Sequence, residues 1–295
     1  MTVGIVDVGS NTVRLLVARL QRDGLAVVAE DRRHLFLGED VERDGRLSEA
    51  RIEQAARWAR RYARAARAHG AEAVDVLVTA PGRQSENGDD LVRALAAATE
   101  APVRVLSADE EGRLAFAGAV AAAGRLPATV AVCDVGGGSA EAVVGTVTDG
   151  PAWSRSLDVG AVRLTRRFLG DDPPGKRALA AARDAVERHL DGFAPPLPQA
   201  ALAAGGTARA LRKIVGRELE AEELDAAIRI ICKRPSVKVA RTFGLHEHRA
   251  RTLAAGAIIL AGLQARLGVP LQVSRAGLRE GAALALADEL AVSAA

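Results

Sequence analysis

The sequence predicts an α/β protein made of two related domains. The chain has 295 residues, whereas single domains are most often about 100–150 residues long. Short apolar strands alternate with helical segments in its first half, which is typical of α/β domains. In addition, Asp7-Val8-Gly9-Ser10 recurs as Asp134-Val135-Gly136-Gly137, each time after an apolar strand. A repeat at this scale indicates duplication, and we expect domains at 1–124 and 125–295.

The composition is that of an ordinary globular chain. Hydrophobic residues make up 49% and charged residues 26%, which excludes disorder as the main state. The 40 basic and 37 acidic residues leave a net charge of +3, which favours neither a specific nucleic-acid partner nor a membrane partner. The first residues resemble a strand and carry no basic signal-peptide region. Two cysteines cannot form a disulfide framework, so a cytoplasmic location is expected.

Local signals place most of the elements. The first 19 residues are expected to form a hairpin that turns at Gly9-Ser10-Asn11. The clearest helix begins after Ser48 and ends at Gly70. Its arginines indicate a solvated face, with a polyanion-binding face as the alternative. The other expected elements are strands at 25–37, 74–79, 103–106, 130–134, 140–146, 200–204 and 271–274, and helices at 90–99 and 109–123.

The paired glycine turns indicate phosphate binding. Glycines let a backbone approach an anion and direct amide groups at it. The alternative is two tight hairpins with aspartate in turn chemistry, but the repeated frame favours phosphate. An aspartate beside a phosphate is explained if Mg²⁺ or Mn²⁺ lies between them. The candidate phosphate ligands in these turns are Gly9, Ser10, Asn11, Gly136, Gly137, Gly138 and Ser139, and the candidate metal ligands are Asp7, Asp134 and Glu141.

Further candidates lie outside the two turns. Ser107 and Glu110 form a capping box, so Glu110 has a structural explanation. Glu111 has none, and it is the candidate base for activating water, although acidic first helical turns are common. Glu141 lies on a strand that is otherwise apolar, which indicates either an exposed side chain or a catalytic carboxylate. Three more candidate phosphate ligands are Arg83, Gly206 and Thr207, the last two before a helix.

These motifs together resemble one known family. The stretches that carry the resemblance are Asp7-Val-Gly-Ser-Asn11, Ser107-Ala-Asp-Glu-Glu111-Gly-Arg113, Asp134-Val-Gly-Gly-Gly-Ser139-Ala-Glu141, Ser156-Leu-Asp-Val-Gly-Ala-Val-Arg163, Gly205-Gly-Thr207 and Gly277-Leu-Arg-Glu-Gly281. In this order they resemble the exopolyphosphatase and guanosine pentaphosphate phosphohydrolase (Ppx/GppA) family.

The resemblance implies a fold and an activity. It implies two actin/hexokinase/Hsp70-like (ribonuclease H-like) domains around a cleft, and Mg²⁺-dependent release of terminal phosphate from polyphosphate or from guanosine pentaphosphate. Glu111 matches the family's catalytic base, Asp134 and Glu141 its metal- and water-associated acids, and Arg83 and Asn87 its phosphate-facing pair. The stop at residue 295 suggests short substrates or a guanine nucleotide alarmone. A homodimer is left open, as are two other functions, a non-catalytic alarmone-binding regulator and a kinase of the same superfamily.

Overall fold

The computed structural model describes residues 1–22 and 24–293, which form two compact units. The first unit contains Met1–Ala121 and the segment from Leu278 onward, and the second is Ala122–Gly277. Each unit has its own sheet and its own apolar core. Within the described ranges, no helix combines the length and the apolar character that crossing a bilayer requires.

The first unit is a five-stranded sheet in the order β3-β2-β1-β4-β5. Strand β1 is antiparallel to β2 and parallel to β4. The elements are β1 (Thr2–Val8), β2 (Thr12–Gln21), β3 (Gly24–His34), α1 (Leu37–Asp44), α2 (Glu49–Ala68), β4 (Ala73–Val78), α3 (Ala80–Gln84), α4 (Gly88–Thr99), β5 (Val103–Val105) and α5 (Ala108–Ala121).

The central strand of this sheet is covered on both faces. Side chains alternate across a strand, and β1 sends Val6 and Val8 into the core beneath α2, and Val3 and Ile5 into a core on the other face. A strand buried on both faces appears in a sequence as an unbroken apolar run. This is why β1 could be predicted without any alternating pattern.

The second unit repeats the first. Its sheet has the order β10-β11-β9-β6-β7-β8, so β6 is antiparallel to β7 and parallel to β9, as β1 is to β2 and β4. The elements are β6 (Thr129–Val135), β7 (Ala140–Thr146), β8 (Gly150–Leu157), α6 (Ala161–Phe168), α7 (Lys176–His189), β9 (Ala200–Ala204), α8 (Gly205–Val215), β10 (Glu218–Leu219), α9 (Ala221–Ile231), α10 (Ser236–Phe243), α11 (Glu247–Leu267) and β11 (Leu271–Val273). The duplication inferred from two short motifs is therefore matched by strand order and strand direction.

The last helix, α12 (Leu278–Ser293), belongs to the first unit and not to the second as we expected. Ala282, Ala283 and Leu286 complete the core on the far face of the first sheet. A side chain at Gly281 would lie only 1.9 Å from the carbonyl oxygen of Leu114 on α5. The last helix of the expected domain 125–295 therefore packs in the first unit. The chain returns there to cover an apolar sheet face that would otherwise contact water.

Candidate functional site

The candidate residues lie at corresponding edges of the two sheets. In the first unit, three parallel strands end at the first glycine loop, at Thr79 before α3, and at Ser107 before α5. In the second unit, the corresponding strands end at the second glycine loop, at Gly205 and at Ser274. Loops at the carboxyl ends of parallel strands are where α/β sheets bind ligands. Each unit therefore has its own candidate ligand-binding edge.

The first loop is held from behind by the residues that lead into α1. The carbonyl oxygen of Ser10 accepts a hydrogen bond from the amide of Gly38, at 2.7 Å, and that of Asn11 accepts from Leu35 and Phe36. In a trans peptide the N–H points opposite to the preceding carbonyl, so the amide of Asn11 points away from this support. Gly38 is needed because a side chain there would come within 2.8 Å of the Ser10 β-carbon.

The second loop is held in the same way, by the start of α6. The carbonyl oxygen of Gly136 accepts from the amide of Ala161 at 2.9 Å, and that of Gly137 accepts from Val162 and Arg163. By the same geometry, the amides of Gly137 and Gly138 both point away from α6. In the described residues no backbone hydrogen bond uses either amide as a donor. Two successive amides directed at one place form an anion-binding concavity.

Asn11 has an unsatisfied side chain in the first loop. Both its amide nitrogen Nδ2 and its oxygen Oδ1 are buried and have no hydrogen-bond partner. Buried polar atoms are nearly always paired, so an orphaned amide needs an explanation. A ligand that brings hydrogen-bonding oxygen atoms to the loop would provide one.

The three predicted acidic metal ligands lie in two different settings. Asp134 and Glu141 are direct register partners on β6 and β7, so their side chains share one face of the sheet. Asp7, in contrast, has Arg14 as its register partner. Burial raises the pKa of Asp7 above its ordinary value, while the charges of Arg14 and Arg279 lower it.

The neighbours of Asp134 and Glu141 fix their positions. The Glu141 side chain is buried, and its Oε1 accepts a hydrogen bond from the hydroxyl of Ser156 at 3.1 Å. The Asp134 carboxylate lies against the start of α8, because a side chain at Gly205 would meet its Oδ1 at 2.1 Å. Gly205 also has a φ of +80°, which favours glycine. The helix N-terminus beside Asp134 stabilises negative charge there.

These two acids are suited to a divalent cation. Like charges directly opposite each other on a sheet are destabilising, and a hard cation with oxygen ligands offsets that repulsion. Mg²⁺ typically uses one or two carboxylates and completes its shell with water and substrate phosphate. In the described part of the chain, no group of three or more histidine, cysteine, aspartate or glutamate side chains could hold a metal, so the cation stays a prediction.

The structure brings Glu111 and Arg83 together, a contact that the sequence did not predict. Arg83 Nη1 donates to Glu111 Oε2 at 2.9 Å and to the carbonyl oxygen of Leu106 at 2.6 Å. Both side chains are largely buried. The guanidinium therefore orients the candidate base, and a direct contact between Arg83 and phosphate remains a prediction.

The capping box is confirmed. The Ser107 amide donates to Glu110 Oε2 at 2.8 Å, and the Glu110 amide donates to the Ser107 hydroxyl at 3.2 Å. These hydrogen bonds lower the pKa of Glu110. Glu110 is thus explained by the helix start, which leaves Glu111 as the glutamate with a possible catalytic role.

Three polar side chains do not make the contact that their place in the sequence suggests. The hydroxyl of Thr207 is buried, donates to the carbonyl oxygen of Val135 at 3.0 Å and accepts from Arg249 Nη1 at 3.2 Å, so the protein itself satisfies it. Asn87, expected beside phosphate, binds the backbone of Leu47 through both ends of its amide. The Ser48 hydroxyl makes no capping hydrogen bond to α2, although Ser48 is its N-cap residue.

Two residues that shape the second loop had no role assigned from the sequence, although both lie in the stretch from Ser156 to Arg163 that carries the family resemblance. Ser156 positions Glu141, and nothing in its local sequence indicates that contact. Gly160 must be glycine because a side chain would lie 2.3 Å from the Gly137 carbonyl oxygen. Its place before α6 was the available signal, since a glycine there is compatible with close backbone approach.

The fold and the two loops together define a duplicated α/β protein with glycine-rich turns at corresponding sheet edges. The sequence matches the model of the Ppx/GppA phosphatase family over residues 16–290, and the chain belongs to that family. It is similar to Exopolyphosphatase 1 of Mycobacterium tuberculosis (29% identity, covering 98% of this chain and 89% of the relative) and to Exopolyphosphatase 2 of the same species (31% identity, 97% and 98%).

Solved structures agree with this assignment. The crystal structure of the Aquifex aeolicus Ppx/GppA family member is 27% identical, with a TM-score of 0.83 over 99% of this chain and 98% of that one. The exopolyphosphatase structure from Cytophaga hutchinsonii has a TM-score of 0.86 at 18% identity, over 98% of each chain, and supports the fold alone. The fold that the resemblance to this family implies, with two related α/β domains, is therefore confirmed.

Proposed function

We propose that this protein is an exopolyphosphatase, a hydrolase that releases terminal phosphate from inorganic polyphosphate. The observation that carries the proposal is the pair of glycine loops, each held from behind through its carbonyl groups and each directing amides away from that support. The names of the mycobacterial relatives support polyphosphate as the substrate.

In the proposed reaction, this chain's residues act mainly by positioning and electrostatics, as in other phosphoryl transfers. In the second loop the amides of Gly137 and Gly138 bind phosphate oxygens, and in the first loop a phosphate oxygen accepts a hydrogen bond from the orphaned Asn11 Nδ2. Glu111, oriented by Arg83, receives a proton from the attacking water. Mg²⁺ or Mn²⁺, held by Asp134 and Glu141, would supply charge neutralisation on the phosphate oxygens.

The test is phosphate release measured in parallel with polyphosphate, guanosine pentaphosphate and ATP, each with Mg²⁺. We expect turnover of polyphosphate. Release from guanosine pentaphosphate alone would instead assign the second activity that the family name covers. Tight binding of a nucleotide with no release from any substrate would support a non-catalytic regulator. Transfer of phosphate from ATP to an acceptor other than water would indicate a kinase.

A further inference from the structure

A cavity of about 360 Å³ lies between α6 and α7 of the second unit. This is within the usual size range of small-molecule pockets, about 300–1,000 Å³. Three arginines and one histidine line it, together with apolar side chains of which Phe168 is the largest: Arg163, Arg167, Arg188 and His189. None of the four appears among the predicted site residues.

The side chains that line this cavity include four basic groups and no carboxylate, and the Asp158 carboxylate lies beside it. Arg163 pairs with the carboxylate of Asp158 and donates to its carbonyl oxygen at 3.1 Å. Burial lowers the pKa of His189, and the three arginines lower it further against an opposing effect of Asp158. All three arginine side chains line this one cavity. Positive groups that converge on a concave surface attract an anion and concentrate it there.

We propose that this cavity is a second anion site, separate from the glycine loops, which binds a small phosphate-bearing molecule. Arginine suits phosphate because its planar group donates two parallel hydrogen bonds to phosphate oxygens. Phe168 provides an apolar wall against which an attached ring could pack. The inference goes beyond the proposed function, since binding here needs no turnover.

Arg163 connects this site to the second glycine loop. Its side chain lines the cavity, while its backbone amide donates to the Gly137 carbonyl oxygen at 3.2 Å. An anion that binds the Arg163 side chain therefore binds a residue of the helix start that supports the loop. A change in turnover on binding would follow from this link, and that consequence rests on the proposed function.

The experiment compares wild type, Arg167→Ala/Arg188→Ala and the control Arg166→Ala, which removes an exposed positive charge from the same helix without touching the cavity. Circular dichroism checks that each variant is folded. The probes are pyrophosphate and adenosine diphosphate, which separate an inorganic from a nucleotide ligand. Hydrogen exchange of the α7 amides, residues 176–189, reports binding at this place as each probe is titrated.

We expect at least one probe to protect α7 in the wild type and in Arg166→Ala. The double variant should weaken that binding at least about tenfold, since two charge-assisted hydrogen bonds are lost. Absence of α7 protection in the wild type with both probes would overturn the proposal. So would equal protection in the double variant, or an equal loss in Arg166→Ala, which would indicate only general surface charge. Protected α7 in a protein that releases no phosphate would refute the proposed function and leave this site intact.

Discussion

The two glycine loops occupy corresponding places in a duplicated fold, yet they differ in the residue that faces their aspartate. Asp7 faces Arg14 across β1 and β2, whereas Asp134 faces Glu141 across β6 and β7. The first pair carries its own counter-charge, but the second combines two negative charges. Duplication thus preserved the backbone that supports each loop and changed the charge beside it, which is why we assign the proposed cation to the second unit.

The loops also differ in what they present to a ligand. The second directs the backbone amides of Gly137 and Gly138 away from its support, whereas the first offers one such amide and the unsatisfied side chain of Asn11. Only the first unit carries Glu111, next to its own arginine. From this comparison we predict different roles for the two units, with water activation in the first and cation binding in the second.

The largest effect should come from Glu111→Gln. We expect phosphate release to fall at least about a hundredfold, because a positioned base typically contributes 10²–10⁴ in rate. Steady-state turnover of polyphosphate checks this. The matched control is Glu110→Gln, which removes a negative charge from the same helix turn and keeps an oxygen that accepts from the Ser107 amide. A greater loss of turnover in the control would show that the base has been assigned to the wrong glutamate.

Asp134→Asn and Glu141→Gln should change the cation requirement. We expect each to raise the Mg²⁺ concentration for half-maximal activity by about tenfold or more, since each removes one of two carboxylates that would hold the ion. The measurement is turnover against Mg²⁺ concentration. Asp7→Asn is the comparison, because its register partner is Arg14. An equal shift in all three variants would contradict the assignment of the cation to the second unit.

The support behind each loop can be tested at its glycine. Gly160→Ala should destabilise the protein by about 1–3 kcal/mol, because its new methyl group would meet the Gly137 backbone. Gly38→Ala should cost less, since it meets the Ser10 side chain at 2.8 Å. Thermal or urea unfolding measures both, with Gly170→Ala as the control, because nothing lies within 4 Å of its new methyl group. Equal stability of all three variants would mean that close approach does not hold the loops.

The smallest expected effect is a pH-dependent change in stability when Asp7 is replaced. Burial raises the pKa of Asp7, so its ionised form opposes folding at neutral pH. We expect Asp7→Asn to raise the unfolding temperature at pH 7. The gain should shrink as the pH falls through the raised pKa, because the wild-type carboxyl is then protonated and no longer bears the cost of a buried charge. Unfolding curves across this acidic range check the sign, and a gain that grows on acidification would refute it.

Short-range interactions explain what could be predicted from the sequence. The capping box joins residues three apart, so Ser107 and Glu110 could be paired directly from their spacing. The glycine loops could also be predicted from local sequence, since each directly follows a buried strand. The side-chain contacts of Asn87 and Thr207 were predicted less well, because their partners, Leu47 and Val135, lie 40 and 72 residues away in the chain.

Local signals were enough to predict the duplicated α/β plan, the two loops and the separation of Glu110 from Glu111, because strand burial, turns and caps depend on neighbouring residues. The folded structure was needed to show that Asp134 faces Glu141 while Asp7 faces Arg14, since strand register fixes those pairs. It also decided that α12 belongs to the first unit, where a bare apolar sheet face needed covering. Contacts between distant segments depend on how whole elements pack, and no local pattern records that.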